Sequence, residues 1–239
     1  MILGRLAWEM QRLLDNTSRD ATRTHLYAGK LSRNWAAVAR GAEDVFERRR
    51  TEDGIDSAVF VAIDNSGSMS SCIRQVRDAV MMFSEALKRC PGVATMIAGF
   101  DNGVTTRGGD DMTGERVYVD RAKWCVFKTW QAGFAGLKDK LDYHCRDKGG
   151  TPEVAALRDA LMVVSRRPEQ RKIILWIGDG DGYDADAIHA LQARYSEVTV
   201  VAVGIDVDLS AYFKHNVNVQ NASDLARASF ATVAKAIAA

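Results

Sequence analysis

Ala58-Val59-Phe60-Val61-Ala62-Ile63-Asp64-Asn65-Ser66-Gly67-Ser68-Met69 joins two kinds of sequence. Its first half is a short, continuous apolar run, which predicts a strand buried on both faces, as in a parallel sheet. Its second half is a polar turn containing glycine. Residues 70–89 follow as an amphipathic helix, with Ile73, Val76, Val80, Phe83 and Leu87 on one side and Arg74, Arg77, Asp78 and Lys88 on the other. Pro91-Gly92 ends that helix, and Val93 to Phe100 reads as a second strand.

Downstream, the pattern repeats with one interruption. Asp101-Asn102-Gly103 and Arg107-Gly108-Gly109-Asp110 read as turns, and Val117-Tyr118-Val119 and Cys125-Val126-Phe127 as short extended pieces. A helix is expected over 134–146. Gly149-Gly150-Thr151-Pro152 opens another over about 152–166, since proline is tolerated in a first turn. Ile173-Ile174-Leu175-Trp176-Ile177 is a third buried strand, followed by Gly178-Asp179-Gly180. A helix near 184–194, a strand over 198–203 and a final helix over roughly 222–237 complete the series. Alternating strands and helices imply an α/β, doubly wound, mostly parallel central sheet with helices on both faces. Ligands of such sheets bind beyond the carboxyl ends of the strands, where the strand order reverses.

Upstream, residues 1–54 read as a helical N-terminal segment, and 55–239 as the α/β domain. Leu3, Leu6, Met10, Leu13 and Leu14 recur at helical spacing. A second helix is expected over about 31–48, and Arg48-Arg49-Arg50 with Thr51-Glu52-Asp53-Gly54 reads as a boundary.

Composition narrows the function classes. Apolar residues make up 47% of the 239 residues, enough for a sizeable core. Net charge is +1, so no global charge points to nucleic acid or a membrane surface. Residues 1–50 carry ten Lys/Arg against six Asp/Glu, which reads as a solvated helical face. The opening residues are interrupted by Arg5 and Glu9, unlike a signal peptide. Cys72, Cys90, Cys125 and Cys145 form no C-x-x-C pair, so thiols in a reducing cytoplasm are expected.

Three polar clusters carry the candidate chemistry: Asp64-Asn65-Ser66-Gly67-Ser68, Gly149-Gly150-Thr151-Pro152 and Gly178-Asp179-Gly180. Asp64, Ser66, Ser68, Thr151 and Asp179 offer only carboxylate and hydroxyl oxygens. Such donors suit a hard cation, Mg²⁺ first, with Mn²⁺ or Ca²⁺ as alternatives. Two carboxylates and three hydroxyls leave the ion underneutralised with a position open, so it would attract an Asp or Glu carboxylate from a partner. Each piece also has a plainer reading, as a turn or a helix cap.

The set resembles the metal-ion-dependent adhesion site of von Willebrand factor A domains. There, Asp-x-Ser-x-Ser follows the first strand, a Thr lies on a middle loop and an Asp follows a later strand. The resemblance covers about residues 55–239 and implies that Ser66, Ser68 and Thr151 ligate the metal directly or nearly so. By the same resemblance, Asp64 and Asp179 bind directly or through water.

A narrower likeness reaches the end of the CobT subunit of aerobic cobaltochelatase. Asp44-Val45-Phe46-Glu47-Arg48-Arg49, Val59 to Met69, Ala98-Gly99-Phe100 and Val203-Gly204-Ile205-Asp206-Val207-Asp208 with Tyr212 carry it. It implies an AAA+ ATPase as partner, and a binding subunit rather than an enzyme.

The rival class is a metal-dependent phosphoryl-transfer hydrolase. Asp64 at a strand end resembles an aspartyl nucleophile, but position 66 is Ser where the haloacid-dehalogenase pattern has a second Asp. A Ser66 nucleophile would need a base, and His25, His144, His189 and His215 lie in no triad motif, with His144 nearest Thr151 in sequence. No phosphate-binding G-x-x-x-x-G-K-[ST] loop occurs. Asp179-x-Asp181 fails as a calcium loop, because Tyr183, Asp184 and Ala190 stand where a ligand, a glycine and a glutamate are required. Asp181, Asp184 and Asp186 read instead as a solvated helix start. Trp124 and Trp130 read as core cover or as partner anchors, core cover first.

Overall fold

The computed structural model describes residues 56–90, 92–102, 122–147, 149–180, 184–220 and 232, and the strand backbone at 21–26, 30–31 and 46–50. Nine strands are described. β1 (Ala21–Leu26), β2 (Lys30–Leu31) and β3 (Phe46–Arg50) form a three-stranded antiparallel sheet in the order β1-β3-β2. β4 (Ser57–Asp64), β5 (Val93–Asp101), β6 (Lys123–Lys128), β7 (Arg171–Gly178), β8 (Val198–Ile205) and β9 (His215–Val219) form a six-stranded sheet. Its order is β6-β5-β4-β7-β8-β9, parallel throughout except for β6, which runs antiparallel to β5. The described helices are α1 (Ile73–Leu87), α2 (Leu137–His144), α3 (Glu153–Ser165) and α4 (Ala185–Arg194).

β4 lies at the centre, and every one of its residues is buried. Successive side chains on a strand point to opposite faces. Val59, Val61 and Ile63 therefore join one core with Val76, Val80, Phe83 and Leu87 of α1. Phe60 and Ala62 join the other, with Leu157 and Leu161 of α3 and Ile188 of α4. This two-sided burial is why the strand is apolar without alternation. Trp124 and Trp130 are core cover: both rings pack on Phe60, at 5.4 and 6.3 Å between centroids.

The chain moves from β4 outward to β5 and β6, then returns to the other side of β4 for β7, β8 and β9. The order reverses between β4 and β7. Their register sets Ile63 opposite Ile177, so Asp64 and Asp179 leave adjacent strand ends at that reversal.

The N-terminal helices need correction. The expected helix around Leu3–Leu14 lies outside the described residues. The one expected over 31–48 is contradicted at both ends, where Leu31 pairs with Phe46 and Lys30 with Glu47 as antiparallel strands. Apolar spacing reports only a segment's own preference, and pairing with a distant strand overrides it. β9 was not foreseen. Its sequence, His-Asn-Val-Asn-Val, is that of an edge strand with little apolar content. Val117–Val119 lies outside the described residues. So does the final helix, save for Thr232, which is helical. Among the described residues no helix is long and apolar enough to cross a membrane.

Candidate metal centre

Asp64 ends β4 and is wholly buried. One of its oxygens, Oδ1, accepts the Ser66 N–H at 2.8 Å, folding the loop back on itself. The other, Oδ2, is buried without a hydrogen-bond partner, and so is Oδ1 of Asp179. Leaving a buried carboxylate oxygen unsatisfied is costly unless a proton or a cation meets it. Burial pushes the Asp64 carboxyl up to about 7, hydrogen bonds with Ser66 pull against that, and the negative charges of Asp179 and Glu153 push further up. The Cys72 thiol is also raised, by burial first and then by the charges of Asp179 and Asp64. The two carboxylates thus share one neighbourhood and repel each other there.

Ser66 is buried and Ser68 exposed, with their hydroxyls 2.9 Å apart. A short 3₁₀ turn over Gly67–Ser71 follows and feeds α1. The Gly67 N–H donates to the Gly149 carbonyl at 3.0 Å, joining the Asp64 loop to the loop that carries Thr151. A side chain at Gly67 would meet that carbonyl at 3.4 Å, a close but ordinary contact. Thr151 is half-buried and stands two residues before α3. Asp179 stands directly after β7, and Gly180, with φ of 73°, turns the chain away in the left-handed region.

The structure therefore brings Asp64, Ser66 and Ser68 onto one loop, sets Gly149 against that loop, and puts Asp179 within the electrostatic reach of Asp64. Thr151 lies two residues beyond the Gly67–Gly149 bond. The orphaned carboxylate oxygens and the neighbouring hydroxyls fit a hard divalent cation. Among the described residues no group of three His, Cys, Asp or Glu is placed to hold a metal. A centre here would therefore rely on serine and threonine oxygens as well as acids.

Other candidates from the sequence fall elsewhere. His144 is exposed at the end of α2, its ring edge-on to Tyr143 at 4.7 Å. His189 and His215 are also exposed. The hydroxyl of Ser66 faces Ser68. Asp184 caps α4, its Oδ1 accepting the Ala187 N–H at 3.1 Å, as expected for an acid at a helix start.

Two asparagines escaped the sequence reading. Asn65 is buried, and its Oδ1 accepts the Cys145 thiol at 3.4 Å. A Cβ on Gly99 would lie 2.2 Å from its amide nitrogen, so Gly99 leaves the room it needs. Asn102 binds Gly150 through both backbone and side chain. Both contacts join residues far apart in sequence, so no local pattern announces them.

No known family profile matches the sequence. Solved structures do resemble the fold. Proximal thread matrix protein 1 from the mussel byssus superposes with a TM-score of 0.55 at 14% identity, over 75% of this chain and 47% of that one. A structure of the same mussel protein with a zinc-occupied MIDAS motif gives 0.53 at 16% identity, over 76% and 46%. A von Willebrand factor type A structure from Catenulispora acidiphila gives 0.55 at 15% identity, over 77% and 43%. The chain thus spans less than half the length of these proteins. What they share with it is architecture: the chain has the α/β fold of von Willebrand factor A-type domains, a mostly parallel six-stranded sheet with helices on both faces.

Proposed function

We propose that this protein is a non-catalytic binding module that holds one divalent cation, Mg²⁺ or in its place Mn²⁺ or Ca²⁺, and uses it to bind an acidic side chain of a protein partner. Asp64, Ser66, Ser68, Thr151 and Asp179 are its ligands, directly or through water. The observation that carries this reading is the pair of buried, unpartnered carboxylate oxygens, Asp64 Oδ2 and Asp179 Oδ1, at adjacent strand ends. The bound ion supplies an electrophilic position that a carboxylate can fill.

The protein's own residues do the rest. The Ser66 N–H fixes one Asp64 oxygen and leaves the other for the ion. Ser66 and Ser68 present hydroxyls side by side, neutral donors that hold a cation without cancelling its charge. The zinc-occupied motif of the mussel protein supports a divalent ion on this fold. The resemblance to CobT supports the narrower reading of a cytoplasmic co-subunit of an AAA+ ATPase.

The test is capture of a purified AAA+ ATPase of the cobaltochelatase type, with and without EDTA. Retention with Mg²⁺, loss with EDTA and loss in Asp64→Ala would support the module and its partner class. Retention that ignores EDTA would refute the metal-bridged mode. Hydrolysis of a generic phosphate ester by the metal-loaded protein, abolished in Asp64→Ala, would favour the hydrolase class instead.

A further inference from the structure

We infer that Asn102 is a positioning residue for the metal centre, clamping the Thr151 loop to the end of β5; this rests on the metal-binding reading above. Asn102 stands one residue past β5, and its backbone N–H donates to the Gly150 carbonyl at 3.2 Å. Its side-chain Oδ1 accepts the Gly150 N–H at 2.8 Å. One residue thus holds both polar groups of the glycine that directly precedes Thr151.

The neighbouring bonds show what the clamp adds. The Asn65 N–H donates to the Phe100 carbonyl at 2.9 Å, tying the Asp64 loop to the end of β5. The Gly67 N–H holds Gly149. Asn102 closes the third side, from β5 to Gly150. Three loops from separate parts of the chain are then fixed to one another, and the Asn102 side chain is the one that binds the glycine directly before Thr151. Gly150 is matched to it, since a Cβ there would lie 2.8 Å from the Asn102 amide nitrogen.

Asparagine suits the task. Its short side chain keeps the acceptor within reach of Gly150 and adds no charge beside two carboxylates that already repel. Removing the acceptor frees the Gly150 N–H and lets Thr151 move relative to Asp64 and Ser66. Groups that orient metal ligands typically matter by about 10–100-fold in affinity.

The experiment measures Mn²⁺ binding by electron paramagnetic resonance and, in the metal-free protein, hydrogen exchange of the Gly150 amide. Wild type, Asn102→Ala and Asn102→Asp are compared as full chains. The clamp predicts that Asn102→Ala binds Mn²⁺ at least about tenfold more weakly and exchanges Gly150 faster. Asn102→Asp keeps the acceptor and should retain at least about a third of the wild-type affinity. If Asn102→Ala does not fold, Asn102→Ser, whose shorter side chain falls short of Gly150, takes its place. Mn²⁺ affinity in the Ala or Ser variant equal to wild type overturns the inference and leaves the metal reading standing. So does Asn102→Asp binding as poorly as Asn102→Ala. Wild-type protein that binds no Mn²⁺ overturns the metal reading itself, whatever the Gly150 exchange shows.

Discussion

Burial governs the behaviour of Asp64. A carboxyl raised to about 7 in the folded chain, against an ordinary value of 3.8, binds its proton more tightly folded than unfolded. Its protonated form therefore favours folding at low pH, and that stability is lost as pH rises through the folded value. Without metal, stability should fall between about pH 4 and about pH 7, by on the order of 4 kcal/mol at most. Asp64→Asn keeps an acceptor for the Ser66 N–H and cannot ionise, so chemical denaturation across that window should show the slope removed. Metal affinity runs the other way, because proton and cation compete for the same oxygen, and Mn²⁺ should bind more weakly at about pH 6 than at about pH 8. Gly99 matters at the same scale. A Cβ 2.2 Å from the Asn65 amide forces that buried side chain to move, and Gly99→Ala should cost about 1–3 kcal/mol in denaturant unfolding.

The elements explain which parts of the fold could be read in advance. β4, β7 and β8 are covered on both faces, so their sequences are continuous apolar runs and stand out. α1 stands out for a different reason, because Ile73, Val76, Val80, Phe83 and Leu87 fall on one buried side. β9 sits at the sheet edge, where Asn216 and Asn218 alternate with Val217 and Val219, and so looks like a loop. β2 and β3 were hidden because their pairing joins residues at opposite ends of an apparent helix. The site divides along the same line. As candidate ligands, Asp64, Ser66, Ser68 and Asp179 were legible because they end or closely follow apolar strands. Asn65 and Asn102 were not, since their partners lie 80 and 48 residues away. The same logic sets the cost of truncation on a helix. Phe83 on α1 is buried in the core, so Phe83→Ala should destabilise by about 3–5 kcal/mol. Met162 lies on the outer side of α3 at 37% exposure, and Met162→Ala should stay within about 0.5 kcal/mol in the same measurement.

At the scale of the whole molecule, the sheet order makes the site. Because the chain reverses between β4 and β7, two acids 115 positions apart in sequence leave neighbouring strand ends (64 and 179). The sheet pays for their repulsion unless a cation joins them. An ion bound only by the folded state adds stability by mass action, about 2.7 kcal/mol at a hundredfold excess over Kd. Mg²⁺ or Mn²⁺ should therefore raise the thermal midpoint of the wild-type chain, EDTA should reverse the gain, and Asp179→Ala should abolish it. The most direct measurement is a Mn²⁺ titration of wild type, Asp64→Ala and Asp179→Ala, with circular dichroism showing that each is folded. One site in the wild type, weakened at least about 100-fold in both folded variants, is the expected result. Mn²⁺ bound equally well by all three, or by none, would contradict a centre built from these two strand ends.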